Sequence, residues 1–220
     1  TTAAALAVSS VEGEHVFEQL ARRLAEILGV GAAMIAVYSD DRLRRARTRA
    51  AVLDGRSLAA FEYDIEQSPC RGLAGRESRY AAGGVNAEFG PGTLFRAKGF
   101  DSYAGRALVD SRGRTLGLVV VLDRAPLSDE AVTEAVLRVF AVRAAAELER
   151  ERSEWALRDS EASYRAIFDA SEDAIFIHDW DSGAILDVSP KAAELYGHPR
   201  ERLQHLRVGD ISSNVPPYTE

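Results

Sequence analysis

The sequence predicts an α+β protein in which helices cover an antiparallel sheet. The first observation is a β-hairpin signal at 102–109 and 115–123, where β-branched and aromatic residues flank a polar break that contains Gly113. The second is the unbroken apolar run 116–122, which is typical of a strand covered on both faces. The third is a stretch without glycine or proline at 129–169, which predicts one helix about 60 Å long.

The other elements of this fold follow in order along the chain. Residues 14–28 carry apolar side chains every three or four positions, which predicts an amphipathic helix. Three strands separated by polar turns are predicted next, at 32–39, 43–52 and 61–65. Ser68 and Pro69 suit the start of a short helix, because serine caps a helix and proline fits its first position.

Composition excludes several classes of protein. The 220 residues are 46% hydrophobic and 28% charged, as in an ordinary globular protein, and no apolar run is long enough to span a membrane. The net charge of −7 argues against general nucleic-acid binding. The arginines at 42, 44, 45, 47 and 49 are interpreted as an exposed strand face, with a local anion or nucleic-acid site as the alternative. A single cysteine, Cys70, excludes an internal disulfide and, with the absence of a secretory signal, favours the cytoplasm.

The hairpin resembles the closing strands of GAF domains. That family commonly reads S-Y-x-G-x-P-L-x-D-x-x-G-x-x-L-G-x-L-x-V-x-D there. The matching positions are Ser102, Tyr103, Gly105, Leu108, Asp110, Gly113, Leu116, Gly117, Val121 and Asp123. Ala107 stands where the family has proline, and 68–73 resembles a T-P-C-like turn of the family. The resemblance implies a GAF-type sheet flanked by helices, with any ligand pocket beneath the irregular region 75–99.

The candidate ligand-binding residues lie around that region of the sequence. They are Phe61, Tyr63, Cys70, Phe89, Leu94, Phe95 and Tyr103. Core packing is the alternative interpretation of each of them. Cys70 falls at a predicted helix start, where the helix dipole would lower the pKa of its thiol. The ligand itself is not identified, and it would be an unknown small molecule.

No catalytic residue is predicted, so the fragment is not expected to be an enzyme. The four histidines, at 15, 178, 198 and 205, lack metal-ligand spacing, and no metal site is predicted. The chain has no haem or bilin signature. Methionine sulfoxide reductases of the GAF fold need a second cysteine to resolve a sulfenic acid, and this chain has only Cys70.

The long helix is expected to have two roles. Its first half, with Val132, Val136, Val139 and Phe140, is predicted to pack on the sheet. A seven-residue period then predicts the coiled-coil seam of a parallel homodimer, formed by Ala141, Leu148, Trp155 and Ala162. The alternative is a solvated linker helix.

Residues 159–179 resemble the entry of a PAS domain, which reads S-E-x-x-Y-R-x-x-F-x-x-S-x-D-A-I-F. A second strand is predicted at 184–188, and Ser189 and Pro190 start a short helix that ends at Gly197. A PAS core has about five strands, and only two of them precede Glu220. The segment is therefore interpreted as the first half of such a domain.

Together these features predict four parts of the chain. They are an N-terminal extension at 1–13, a GAF domain at 14–150, a signalling helix at 151–168 and a partial PAS domain at 169–220. In the families that it resembles, this order implies a sensory input module of a cytoplasmic signalling protein, most often a histidine kinase. A diguanylate cyclase or phosphodiesterase is the next possibility for the output. A purely structural dimerisation module without a ligand is the alternative of a different class.

Overall fold

The computed structural model describes residues 2–73, 76–88 and 94–211, except for the side chains of residues 2–14, 72, 94 and 95. The chain divides into unit 1, Thr1–Arg152, and unit 2, Ser153–Glu220. Its α-helices are α1 (Thr2–Leu28), α2 (Leu94–Ala97), α3 (Glu130–Ala170), α4 (Pro190–Tyr196), α5 (Arg200–Leu203) and α6 (Val208–Ile211). Two 3-10 helices span Pro69–Leu73 and Val85–Glu88.

The strands form one sheet in each unit. In unit 1 they are β1 (Ala32–Tyr38), β2 (Arg45–Leu53), β3 (Arg56–Ser57), β4 (Glu62–Asp64), β5 (Ser78–Ala81), β6 (Ser102–Val109) and β7 (Thr115–Asp123). Their order is β3-β2-β1-β7-β6-β5, with β4 also paired to β2, and the paired strands are antiparallel. In unit 2, β8 (Phe176–His178) pairs with β9 (Ile185–Val188). The predicted α+β class is confirmed.

The hairpin of β6 and β7 has the predicted bounds. Residues 116–122 of β7 are buried, and the strand lies in the middle of the sheet, as the unbroken apolar run indicated. The turn depends on Asp110, whose Oδ1 accepts hydrogen bonds from the backbone N–H groups of Arg112 (3.0 Å) and Arg114 (2.7 Å). Gly113 has a φ of +79°, a backbone conformation that glycine adopts without steric cost.

The two faces of the main sheet are covered differently. One face packs against α1 and α3, through Phe17 and Leu24 of α1 and Leu137 of α3. The other face packs against the short elements between β4 and β6, through Ile65, Leu73, Val85 and Phe100. The core of unit 1 therefore has two layers with the sheet between them.

The packing face of α3 differs from the prediction. Leu137, Ala141, Ala144 and Leu148 are buried in the core, at the spacing of one helix face. Val136 and Phe140 pack partly against this core, as predicted, but the prediction for Val132 and Val139 was wrong. These two side chains are 53% and 68% exposed, because they lie on the opposite side of the helix from Leu137.

Other elements begin earlier than predicted or were missed. Helix α1 starts at Thr2 and not at residue 14, so residues 2–13 continue the helix that the amphipathic pattern predicted. Alanine favours helix, and the segment contains no proline. Strands β3 and β5 were not predicted, because β3 has two residues and β5 is a short edge strand in a region without a clear period.

Unit 2 is built around a two-stranded sheet and three short helices. Ile185, Val188, Ala192 and Leu203 form its buried core. The predicted helix start is confirmed, since the Ser189 hydroxyl accepts a hydrogen bond from the backbone N–H of Ala192 at 3.2 Å.

Candidate ligand-binding site

A cavity of about 260 Å³ lies against the sheet of unit 1. Of the described residues, those that line it are Ala32, Ala33, Met34, Ala51, Val52, Leu53, Leu58, Phe61, Lys98, Phe100 and Leu122. Met34, Phe100 and Leu122 belong to the core on the face away from α1 and α3. The lining is apolar except for Lys98, so the cavity suits a ligand with a largely apolar body.

Small side chains in adjacent strands explain why there is space here. Ala32 and Met34 of β1 pair with Leu53 and Ala51 of β2, so two alanines lie diagonally across this pair of strands. An alanine extends little above the sheet, and the larger side chains of Leu58, Phe61 and Phe100 then form walls around the space instead of filling it.

Arg124 connects several parts of the cavity wall. Its two terminal nitrogens donate to both carboxylate oxygens of Asp54, at 2.9 and 3.0 Å, and its Nε donates to the carbonyl of Lys98 at 3.1 Å. The guanidinium also lies 5.3 Å from the ring centroid of Phe100. These hydrogen bonds lower the pKa of Asp54 and raise the pKa of Arg124. Arg124 therefore holds the end of β2 and the segment before β6 together.

A separate group of tyrosines surrounds Cys70 on the same face of the sheet. The Tyr63 hydroxyl lies 3.7 Å from the Cys70 sulfur, and both Cys70 and Tyr103 are completely buried. Burial raises the pKa of the Cys70 thiol and those of Tyr63 and Tyr103, and it raises the pKa of Tyr38 to about 12. The thiol and these hydroxyl groups are therefore neutral at pH 7, and their side chains contribute to the packing of the core.

This result corrects the prediction for Cys70. A helix dipole was expected to lower the pKa of its thiol, but Cys70 lies in a 3-10 helix of five residues and is 0% exposed. The cost of placing a thiolate in an apolar core exceeds the effect of so short a helix.

The cavity includes one of the predicted ligand-binding residues, Phe61. Tyr63, Cys70 and Tyr103 belong to the core on the same face of the sheet but do not line the cavity. Phe89 lies outside the described residues, as do the side chains of Leu94 and Phe95, whose backbone forms the start of α2.

The sequence analysis missed most of the lining. Alanines 32, 33 and 51 in neighbouring predicted strands were the available signal, because clustered small residues leave space beside a sheet. Lys98 was a second signal, since the chain contains only two lysines.

The structure also corrects the predicted dimer seam. Ala141 and Leu148 are each 4% exposed and belong to the core of unit 1, so the chain's own sheet and helix α1 cover them. Trp155 is 60% exposed, and Ala162 is exposed as well. A seven-residue period does not by itself distinguish a helix face that packs on the same chain from one that packs on another.

Two further features limit what the described residues can do. No helix within residues 2–73, 76–88 and 94–211 has the length and apolar character that crossing a membrane requires. In the same part of the chain, no three histidine, cysteine, aspartate or glutamate side chains are grouped so that they could hold a metal ion.

Both parts of the chain are similar to known proteins. Residues 162–220 match the family model of the PAS domain. The GAF domain of PixJ from Thermosynechococcus elongatus, in its blue-light absorbing form, is similar at 16% identity and a TM-score of 0.52, over 72% of this chain and 96% of that one. The GAF domain of the Acinetobacter phosphoenolpyruvate-protein phosphotransferase is similar at 13% identity and a TM-score of 0.51, over 66% and 86%.

A third similar structure is the chromophore-binding domain of the bacteriophytochrome RpBphP3 from R. palustris, at 11% identity and a TM-score of 0.51, over 64% of this chain and 57% of that one. No curated protein matches the chain in sequence. Unit 1 thus has the GAF fold. The chain continues from it into a segment that matches the PAS family model, and the resemblances noted in the sequence are confirmed.

Proposed function

We propose that the chain is a sensory input module in which a small molecule in the cavity changes the connection between the sheet and α3. The observation that carries this proposal is the position of β7. Leu122 near the end of β7 lines the cavity, and the same strand leads through a short linker into α3, which begins at Glu130. A change at the cavity therefore has a short covalent route to the long helix.

Hydrogen bonds hold the linker between β7 and α3 to the strands beside it. The Ser102 hydroxyl donates to the carbonyl of Ala125 at 2.7 Å, and the Tyr80 hydroxyl donates to the carbonyl of Leu127 at 2.7 Å. Because Ser102, the first residue of β6, lies two positions after the lining residue Phe100, a displacement of Phe100 changes the anchoring of the linker.

Three polar contacts then fasten α3 to the sheet. Arg106 of β6 pairs with Glu134 at 3.2 Å, and Arg49 of β2 pairs with Glu151 at 2.9 Å. Between them, the Ser111 hydroxyl donates to Glu149 at 2.6 Å. The N-terminal part of α3 is therefore attached to the sheet at several points. A ligand that binds one arrangement of the sheet and α3 more tightly than another, by a few kcal/mol, shifts the population of the protein towards that arrangement.

Hydrogen exchange with and without an apolar probe tests this proposal. We expect 1-octanol to change amide protection in residues 124–136 as well as in the cavity. An Ala51→Leu variant, which fills the cavity, should remove the response, while Ala156→Leu at an exposed position in unit 2 should keep it. A response confined to the lining residues would contradict the proposed route. If no apolar probe binds, the structural alternative without a ligand is favoured.

We also propose that α3 mediates a homodimer, through a seam different from the predicted one. Val132, Ala135, Val139, Val142 and Ala146 occupy alternating three- and four-residue spacings and are all exposed. β-Branched residues at the first heptad position, which Val132 and Val139 occupy, are typical of two-stranded coiled coils. This seam lies away from the face that packs on the sheet, so it remains available to a second copy.

Sedimentation velocity tests the dimer. Val139→Arg places a charge in the seam and should lower the dimer fraction, whereas Ala60→Arg, at an exposed position outside α3, should leave it unchanged. Equal dimer fractions in the two variants would exclude this seam.

The output of the module is also a proposal. A GAF domain followed by a PAS segment supports a histidine kinase first and a diguanylate cyclase or phosphodiesterase second, in the cytoplasm. In the full-length protein, autophosphorylation of a histidine by ATP would support the kinase. Synthesis or hydrolysis of a cyclic dinucleotide would replace that assignment.

A further inference from the structure

We propose that the cavity binds a small apolar molecule that ends in a carboxylate, and that this carboxylate pairs with Lys98. The inference rests on the proposed function, in which the cavity is the sensing site, and adds the chemical class of its ligand.

The volume of the cavity sets the size of the ligand. An engineered apolar protein cavity of about 150 Å³ binds benzene, which has six non-hydrogen atoms. At the same ratio, the 260 Å³ cavity holds roughly ten non-hydrogen atoms. An eight-carbon fatty acid or an arylpropionic acid has this size.

The positive charge in the lining determines which polar group the ligand carries. Lys98 is the charged residue among the described residues that line the cavity, and Arg124 fixes its backbone through the hydrogen bond to its carbonyl. Within the described part of the chain, no side chain forms a hydrogen bond or ion pair with the Lys98 ammonium. An ammonium carries three donors, and a carboxylate accepts them as charge-assisted hydrogen bonds.

The acidic residue near Lys98 is already paired. Both oxygens of Asp54 accept hydrogen bonds from Arg124, and these bonds lower the pKa of Asp54 more than the charge of Lys98 does. Asp54 and Arg124 therefore balance each other, which leaves the ammonium of Lys98 for a ligand.

The remaining lining excludes other ligand classes. Among the described residues, the other lining side chains offer no hydrogen-bonding group stronger than the weakly accepting sulfur of Met34, so a second polar group on the ligand would lose its hydration without a strong partner there. A cationic head group would lie next to the positive charge of Lys98. An apolar body with one acidic end is the class that meets both conditions.

Isothermal titration calorimetry of the 220-residue chain at pH 7.5 tests the inference with octanoate, 1-octanol and octylamine as probes. Octanoate should bind more tightly than octanol, and octylamine should bind most weakly. Because Lys98 is exposed at the edge of the cavity, Lys98→Ala should weaken octanoate binding about two- to fivefold and leave octanol binding unchanged. The matched control is Lys191→Ala, because Lys191 is the other lysine of the chain and pairs with Glu194 in unit 2 at 2.9 Å.

Each outcome has a separate meaning. If octanol and octanoate bind equally and Lys98→Ala changes neither, the assigned head group is wrong, while the cavity remains a binding site. If no probe binds, both the inference and the proposed function fail. Ala51→Leu should abolish binding of both ligands, and binding retained by this variant would place the site elsewhere and overturn the inference. Circular dichroism verifies that each variant is folded.

Discussion

Replacing Gly117 with alanine tests how closely β1 and β7 approach each other. Gly117 pairs with Val37 of β1 in the middle of the sheet. A Cβ atom at this position would lie 2.9 Å from the Cα of Val37 and closer still to the carbonyl oxygen of Ala36. Both are backbone atoms, so no change of rotamer relieves the contact.

The expected cost combines two opposing effects. Extra methyl groups in a packed interior cost about 1–3 kcal/mol, and replacing glycine by alanine in a regular element returns roughly 0.5–1 kcal/mol. Because the obstructing atoms belong to a central strand, we expect strain above that usual range and a net loss of about 2–3 kcal/mol in the free energy of unfolding. Gly117→Val adds two more methyl groups and should cost more.

Urea unfolding followed by far-ultraviolet circular dichroism measures this loss. Gly83→Ala is the matched control, since its new Cβ would meet only Asp101 Oδ2 at 3.5 Å, which is an ordinary contact. The control should stay within about 0.5 kcal/mol of the parent protein. If Gly117→Ala is as stable as this control, the close pairing of β1 with β7 is refuted.

The remaining predictions concern two buried ionisable groups, Cys70 and Asp187. Iodoacetamide should label Cys70 only after unfolding, and labelling of the native protein at the unfolded rate would contradict its burial. Since burial raises the pKa of this thiol, its ionisation in the unfolded state should lower stability as the pH rises above about 8.5. Burial alone would raise the pKa of Asp187, but hydrogen bonds from Arg200 and Val188 lower it. The folded state therefore gains stability above about pH 3.9, which is lost as the pH falls through the lower folded pKa. Asp187→Asn should destabilise unit 2 by about 1.5–3 kcal/mol, measured by hydrogen exchange in β8 and β9, and unchanged protection there would show that the ion pairs contribute little.

A strand of the main sheet could be predicted where its burial produces a recognisable pattern of apolar residues in the sequence. The run 116–122 is apolar at every position because both faces of β7 are covered, and β7 is indeed central. Strand β5 leaves no such pattern, because all four of its residues are only partly buried at the edge of the sheet. Its position depends on pairing with β6, which lies more than 20 residues away in the sequence.

Helix α3 was predictable as a helix but not in its orientation. Ala141 and Leu148 satisfy a seven-residue period, and so do Val132 and Val139 on another face. Both faces of α3 are apolar enough to be buried. Which of them packs against the sheet depends on the ion pairs and apolar contacts that the sheet offers. The larger side chain of Leu137, on the same face as Ala141, packs against the sheet and leaves the valines exposed.

The cavity was the least predictable feature of unit 1. It arises where β1, β2, the segment before β6 and the end of β7 meet, and their lining residues are distributed between positions 32 and 122. Aromatic residues were the natural candidates for a ligand site, yet among the candidates that the structure describes Tyr63 and Tyr103 fill space in the core and Phe61 borders the cavity. Empty space results from small residues such as Ala51, which also occur in closely packed cores.

Arg124 gives the proposed sensing mechanism a specific mechanical element. It is the first residue after β7, so it belongs to the linker that leads into α3. It is also hydrogen-bonded to Asp54 and to the carbonyl of Lys98, and its guanidinium lies over Phe100. A ligand that displaces Lys98 or Phe100 must therefore either move Arg124 with them or break these contacts. Because either response acts on the linker directly, the proposed signal does not depend on a rearrangement of the sheet, whose central strands are tightly packed.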